Sequence, residues 1–298
     1  MISRCGYVAI IGRPNVGKST LLNMILGQKI SITSRKPQTT RHQLLGIKTV
    51  KNCQVVYVDT PGIHRRESKA INRYMNRAAL SILDDVDVVL FLLDRTAWLT
   101  DDQKVADALN YYSGRLILAI NKIDRLKSLN QLLPRLSKLH EAFPQAELVP
   151  ISASTGENIT RLESLIHESI PKAPFFFPEH QITDRSERFL VAEMIREKLT
   201  RQLGEEVPYM LTIQVDRFEV GVETAEIDAT IFVEKEGQKA ILIGKKGGRL
   251  KQIGSDARKD IEKLLNLKVM LTTWVKVKSG WSDNERTLQG LGYNDVRI

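Results

Sequence analysis

Two regimes of apolar patterning follow one another along the chain. Between residues 7 and 170, short apolar runs alternate with segments of helical period. The strand-like runs are 7–11, 54–58, 87–94, 116–120 and 147–151, and the helical segments are 18–26, 70–84, 103–110, 132–143 and 159–170. Apolar strands alternating with helices predict an α/β domain: a doubly wound, mostly parallel sheet with helices on both faces. The pattern breaks at Pro171-Lys172-Ala173-Pro174-Phe175-Phe176-Phe177-Pro178, whose prolines make a semi-rigid linker. Three consecutive phenylalanines are unlikely to stay in water, and some are expected to pack where the two domains meet. Beyond the linker the order changes. A long helix (188–203) precedes two alternating strands (209–215, 225–233), two helices (238–243, 248–265) and a last strand (268–278). The expected division is 1–172, a linker at 173–182, and a smaller α+β domain with a C-terminal tail at 183–298.

Candidate chemistry sits at strand ends. The first strand runs into Gly12-Arg13-Pro14-Asn15-Val16-Gly17-Lys18-Ser19-Thr20, which fits G-x-x-x-x-G-K-[ST] and opens a helix. That is a phosphate-binding P-loop: glycines let successive N–H groups face phosphate oxygens, and the helix N-terminus adds its positive end. Lys18 is expected at the terminal phosphates and Ser19 on Mg²⁺. The next motif, Asp59-Thr60-Pro61-Gly62, fits D-x-x-G. Its carboxylate can hold Mg²⁺ through water, and its glycine N–H can reach a γ-phosphate. Residues 29–51 carry six Lys/Arg and no acid, and include Pro37-Gln38-Thr39-Thr40-Arg41. Thr40 in a mobile loop there would complete the metal shell only with triphosphate bound, which makes residues around Thr39–Thr40 and 59–63 switch segments.

Asn121-Lys122-Ile123-Asp124 fits N-K-x-D. A carboxylate at Asp124 accepts from both guanine N1–H and the 2-amino group. Adenine offers neither donor, and such a mismatch rejects a base by about 10⁴-fold. Ser152-Ala153 would add a backbone N–H to the guanine oxygen; Ser-Ala is also a common dipeptide without function. The four motifs fall just after apolar strands, so they converge on the carboxyl edge of the sheet, where ligands of such sheets bind. The expected ligands are GTP and GDP with Mg²⁺.

Charge changes the picture of the second half. The net charge of +9 lies entirely in residues 1–172, while 173–298 are neutral. Within that neutral half, 183–228 carry −5 and 234–278 carry +7. The basic stretch contains Gly244-Lys245-Lys246-Gly247 between two helices, in the order α-β-β-α-GxxG-α-β of a type II KH domain. Glycines let the turn approach a sugar-phosphate backbone and the lysines neutralise it. Arg249, Lys251, Arg258 and Lys259 either extend this RNA-facing rim or form an exposed helix face paired with Asp256, Asp260 and Glu262. Residues 65–77 hold five Lys/Arg against one acid, either a solvated face or a second RNA contact. Trp274 and Trp281 either stack on bases or belong to the core. Two cysteines without metal spacing and no apolar run of about 20 residues fit a reducing, cytoplasmic setting.

The order P-loop, D-T-P-G, N-K-I-D, S-A is that of translation-factor-like GTPases. G-R-P-N-V-G-K-S with P-Q-T-T-R, D-T-P-G-I-H, a KH domain and the stretch K-V-K-S-G-W-S-D-N-E-R (276–286) resembles the bacterial Era branch of that class. The resemblance covers almost the whole chain and implies a ribosome-biogenesis factor that binds the 3′ end of 16S rRNA and assists 30S maturation. It also implies a monomer in the cytoplasm, with weak peripheral contact at the inner membrane. Ile63 stands where Ras-like enzymes place the glutamine that orients water, so slow intrinsic hydrolysis is expected. Relatives include K⁺-stimulated enzymes with a P-loop asparagine as ligand, a position matched by Asn15. Other readings are an RNA-binding module with a structural nucleotide, a P-loop kinase, or a tRNA-modification GTPase. N-K-I-D speaks against the kinase, the KH order against the last.

Overall fold

The structure, a computed structural model, describes residues 3–34, 36, 39–62, 69–95, 98–204, 207–291 and 293. The first domain contains β1 (Arg4–Ile11), α1 (Lys18–Leu26), β2 (Leu44–Val50), β3 (Cys53–Asp59), α2 (Ala70–Leu80), β4 (Val88–Asp94), α3 (Thr100–Leu109), β5 (Arg115–Asn121), α4 (Leu133–Ala142), β6 (Glu147–Pro150) and α5 (Ile159–Ser169). Its sheet runs β2-β3-β1-β4-β5-β6, and β2 alone is antiparallel to its neighbour. Every residue of β3 and β4 is buried. Such strands need cover on both faces. Leu21, Leu22 and Ile25 of α1 and Ile159, Leu162 and Ile166 of α5 cover one face. Ala79 of α2, Val105 and Leu109 of α3 and Leu139 of α4 cover the other.

β2 lies inside the basic stretch 29–51, where the apolar pattern predicts no strand. Residues 44–50 pair with β3 across the turn at Lys51-Asn52, where Lys51 is left-handed (φ 53°). Leu44, Leu45 and Ile47 are buried there. A glycine and a lysine interrupt this short run, so its pattern is weak and pairing with β3 decides it. The linker then covers the outer edge of β2. Ile47 N–H donates to Ile182 O (2.7 Å) and Leu45 N–H to Asp184 Oδ1 (3.0 Å), using donors that an open edge would expose.

Phe176 and Phe177 pack against the first domain and not between the two domains. Phe176 stacks on Tyr7 of β1 at 5.3 Å, and Phe177 joins the first domain's own core. The reason is Gln54, a fully buried amide in β3 whose Oε1 accepts from the N–H of Phe176 (2.9 Å) and of Phe177 (3.0 Å). A buried amide oxygen requires such donors.

The second domain contains α6 (Glu187–Gln202), β7 (Leu211–Val220), β8 (Thr224–Val233), α7 (Glu236–Ile243), α8 (Gly248–Leu265), β9 (Lys268–Val277) and α9 (Glu285–Gly290). β7 and β8 are antiparallel, β8 and β9 parallel. Ile195 and Leu199 of α6 and Ile253 of α8 share one core with Ile227 and Ile231 on the inward side of β8. The tail returns to the first domain: Trp281, Leu288 and Tyr293 pack with Ile71, Tyr74 and Met75 of α2. Trp281 is therefore core, at 1% exposure, whereas Trp274 on β9 is exposed.

His42 lies in the same junction, with ring centroids 4.3 Å from Tyr293, 5.2 Å from Phe189 and 6.5 Å from Tyr74. Burial lowers its pKa to about 3, with Glu193 opposing and Arg196, Arg185 and Arg41 reinforcing the shift. The unfolded chain takes up this proton below the ordinary value near 6.5, and the folded chain does not. The neutral ring's contribution is thus intact above pH 6.5 and lost as pH falls toward 3. Between pH 7.5 and 5.5 this linkage removes on the order of 1 kcal/mol. Urea unfolding of the wild type and His42→Gln at both pH values should show their stability gap narrowing by that amount; a gap that does not change with pH refutes the assignment.

Candidate functional site

The P-loop spans the turn from β1 into α1. Gly17 has φ 106°, and a Cβ there would lie 2.4 Å from Asn121 Nδ2, so only glycine lets the loop pass under the β5 motif. Gly12 and Val16 are buried, Pro14 is half-buried, and Asn15 sits exposed at the apex with φ 64°. Lys18 Nζ donates to the carbonyls of Gly12 (2.9 Å) and Arg13 (3.2 Å), and burial lowers its pKa to about 8 against the pull of Asp59. Arg13 pairs with the fully buried Asp102 of α3 at 3.2 Å. Thr20 continues the first turn of α1, half-buried.

Three oxygen donors from separate segments meet behind this loop. Ser19 Oγ lies 2.7 Å from Thr40 Oγ1 and donates to Asp59 Oδ2 at 2.7 Å. Asp59 is fully buried at the end of β3, and burial raises its pKa against the field of Lys18. Its Oδ1 is a buried acceptor with no hydrogen-bond partner. Two hydroxyls beside a carboxylate with an unused oxygen fit a small hard cation that keeps water and phosphate ligands. No group of three His, Cys, Asp or Glu suited to a metal occurs among the described residues, so phosphate would have to complete such a shell. Ser31, which the sequence reading missed, also donates to Asp59 Oδ2 (2.8 Å). Nothing in its local pattern marked it.

Thr39 Oγ1 donates to Lys36 O (2.7 Å). Thr60 Oγ1 donates to Ile10 O (2.9 Å), which ties the D-x-x-G turn to β1. Pro61 and Gly62 are buried, and a Cβ on Gly62 would come within 2.9 Å of Pro14. That contact brings the turn onto the P-loop. Ile63 lies outside the described residues.

The β5 and β6 motifs knit together. Asn121 Nδ2 donates to Val16 O (2.8 Å), and its Oδ1 accepts from the N–H of Lys122 (2.7 Å) and Ala153 (2.9 Å). Lys122, with φ 68°, sends Nζ to Asn15 O and to Asp94 Oδ2, both at 2.6 Å. Ser152 Oγ donates to Asp124 Oδ1 (2.7 Å), which orients that carboxylate. A cleft of about 730 Å³ joins Asn15, Thr20, Lys122 and Arg125 to Thr200 and Arg201 of α6. The size suits a nucleotide.

That reach of α6 is the largest feature the sequence reading missed. Glu197, fully buried on α6, accepts from Thr33 N–H (2.9 Å), Lys29 Nζ (2.5 Å) and Arg201 (3.0 Å). Arg196 donates to the Thr39 carbonyl, and Arg201 to the Thr33 carbonyl at 2.9 Å. Arg41 is buried in the second domain, on the carbonyls of Leu211 and Pro208, both at 2.7 Å. Asp283 Oδ1 also accepts from the N–H of Ala70 (2.9 Å), the first residue of α2. Each of these residues had an ordinary local role as helix or tail charge, so no signal short of the fold could pair them.

In the second domain, Gly244, Lys245, Lys246 and Gly247 form the turn between α7 and α8, with Lys246 left-handed (φ 50°). Lys245, Lys246, Arg249, Lys251, Arg258 and Lys259 are all exposed. Among the described residues no ion pair joins the last four to Asp256, Asp260 or Glu262. Asp260 instead binds Lys198 (2.5 Å) and Lys29 (3.3 Å), and Asp256 takes the amides of Gln202 and Gln252. Lys259 stands apart from the turn, beside Val222 and Glu223 at the far end of α8.

Residues 7–122 match the model of the 50S ribosome-binding GTPase family, and 206–282 that of the KH domain. The chain is 58% identical over 294 residues to GTPase Era of Pseudomonas putida (strain W619), covering 99% of this chain and 98% of that one. The same identity and coverage hold for GTPase Era of Ectopseudomonas mendocina (strain ymp). Two solved structures superpose at TM-score 0.93 with 38% identity. One is a substituted Aquifex aeolicus Era bound to GDP·AlF₄⁻, with 97% of this chain and 99% of that one covered. The other is Era in complex with MgGDPNP and nucleotides 1506–1542 of 16S ribosomal RNA, with 98% and 99% covered. A P-loop, D-x-x-G and N-K-x-D at one sheet edge, a KH domain beyond them and these full-length likenesses assign the chain to the GTPase Era family.

Proposed function

We propose that this GTPase is a nucleotide-gated RNA-binding protein: GTP sets the switch segments, and the KH domain holds the 3′ end of 16S rRNA during 30S subunit assembly. The observation that carries this reading is the grip of α6 on residues 33–41. The same short segment presents Thr40 to Ser19 (2.7 Å) and gives up its backbone to Arg196, Glu197 and Arg201. Its position cannot change without changing the interdomain contact. Support also comes from the relative whose structure holds both MgGDPNP and a 16S fragment.

In this reading, Lys18 and the P-loop N–H groups bind the phosphates. Ser19 and Thr40 would hold Mg²⁺, with Asp59 acting through water, and the ion neutralises phosphate charge. Asp124, oriented by Ser152, and the N–H of Ala153 select guanine. Apolar Ile63 cannot orient water, so hydrolysis is slow, and a K⁺ on Asn15 would supply the missing positive charge at the transition state. Lys245, Lys246, Arg249 and Lys251 neutralise the RNA backbone beside the turn, with Arg258 and Lys259 further along α8. The chain would act as a monomer in the cytoplasm, with weak electrostatic contact at anionic inner-membrane lipid. No helix among the described residues is long and apolar enough to cross a membrane.

Binding of a single-stranded 16S 3′-end oligomer and its scramble, at fixed salt, tests the proposal. The matched RNA should bind more tightly with a non-hydrolysable GTP analogue than with GDP, and Lys245→Asp with Lys246→Asp should abolish binding while sparing GTP. Equal affinity in both nucleotide states, or for the scramble, defeats the gate. Asp124→Asn should weaken GTP by about 10²-fold or more and favour xanthosine triphosphate, because an amide donates where the carboxylate accepts; unaltered GTP affinity counts against the guanine assignment. GTPase rates in matched KCl and NaCl decide the Asn15 role, with faster turnover expected in KCl and equal rates removing it.

A further inference from the structure

A second cleft, of about 740 Å³, opens between α3 and α4 on the sheet face opposite α1 and α5. Trp98 and Phe143 form its aromatic wall, with ring centroids 6.3 Å apart. Arg95, Arg135 and Lys138 line it, and no carboxylate does among the described residues. Both terminal nitrogens of Arg135 are buried and lack a hydrogen-bond partner. A buried guanidinium with idle donors is costly, and an oxyanion is its natural complement.

The nearest carboxylates are already committed elsewhere. Asp102 accepts from Leu99 N–H at 2.9 Å and pairs with Arg13 of the P-loop at 3.2 Å. Asp94 holds Lys122 at 2.6 Å and Arg95 at 3.6 Å. Arg135 feels the fields of both, as well as repulsion from Arg13, and burial lowers its pKa. Asp94 and Asp102 therefore stand between two sets of cations, one in the cleft and one at the nucleotide site.

We propose that the α3–α4 cleft is a second ligand site, for a planar organic anion of aromatic-monophosphate size, coupled to the nucleotide pocket through Asp94 and Asp102. The ligand's oxyanion takes the idle donors of Arg135, and its ring lies against Trp98 and Phe143. With Arg135 neutralised, Asp102 and Asp94 act more fully on Arg13 and Lys122. Both cations brace the P-loop, one through Arg13 itself and the other through the Asn15 carbonyl. The anion thus slows nucleotide release, and by reciprocity bound nucleotide tightens the anion. This inference stands apart from the RNA reading and survives its failure.

The test uses the full chain with Mg²⁺ and excess GDP, so that the nucleotide pocket is filled, and 1-naphthyl phosphate as the probe. The Trp98 indole N–H resonance should shift saturably. Arg135→Gln should weaken binding at least about tenfold, and Lys138→Gln on the open rim about threefold. Release of a fluorescent GDP analogue should slow about fivefold at saturation in the wild type and not in Arg135→Gln. Neutral 1-naphthol binding as tightly as the phosphate would make this an apolar crevice and overturn the proposal. So would unchanged affinity in both variants, or no saturable binding. Binding of an acidic peptide but not of the probe would make the cleft a protein-docking groove, also against it. Binding without any effect on release refutes the coupling.

Discussion

Glu197 is the constraint on which the arrangement of the two domains rests. Its carboxylate is fully buried, and a charge in that position persists only when its partners replace water. Thr33, Lys29 and Arg201 do so, and Lys29 also reaches Asp260 of α8. Two partners, Lys29 and Thr33, come from the first domain's loop after α1, and the third, Arg201, from α6 itself. Separation of the domains would strand the carboxylate, or rehydrate it at the expense of the ordered loop. Arg41, with its guanidinium on two carbonyls of the second domain, is held by the same logic with the sign reversed.

The chemistry of the nucleotide site depends on a second buried carboxylate. Asp59 ends a strand whose every residue is buried, so the sheet delivers it to a dry position behind the P-loop. Burial raises its pKa, and only cations and hydroxyls keep the charged form accessible. Ser19 and Ser31 donate hydroxyls to it, and Thr40 meets it only through Ser19. Asp59, its hydroxyl partners and the loop that carries Thr40 are therefore held by one set of contacts, and Glu197 ties that loop to α6.

The second domain keeps its buried acids and its exposed bases apart. Two acids of α6 are engaged at the interface, where Glu193 holds Arg196 and Glu197 holds Lys29. The basic turn and α8 face outward. A neutral domain thus offers a cationic surface without net charge.

Much of this was legible in the sequence. The alternation of apolar strands and helices, the break at the prolines, and the motifs at strand ends depend on local pattern and chain order, which residues 7–170 state directly. Lys18, Asp59, Asn121 and Ser152 could be placed on one edge because a parallel sheet leaves no other position for residues that follow its strands. The sequence by itself therefore determined the fold class, the nucleotide chemistry and the presence of the KH turn. It did not determine β2, whose weak pattern depends on pairing with β3, or the seat of the phenylalanines, which the buried Gln54 amide decides. Nor did it reveal Trp281 under α2, Ser31 on Asp59, or the hold of α6 on residues 33–41. Those contacts join residues as far apart in the chain as Ile71 and Trp281, and each partner alone is an ordinary charge, polar or apolar residue. Only the tertiary structure could pair them, because burial, which makes such contacts strong, is a property of the packed chain and not of any segment.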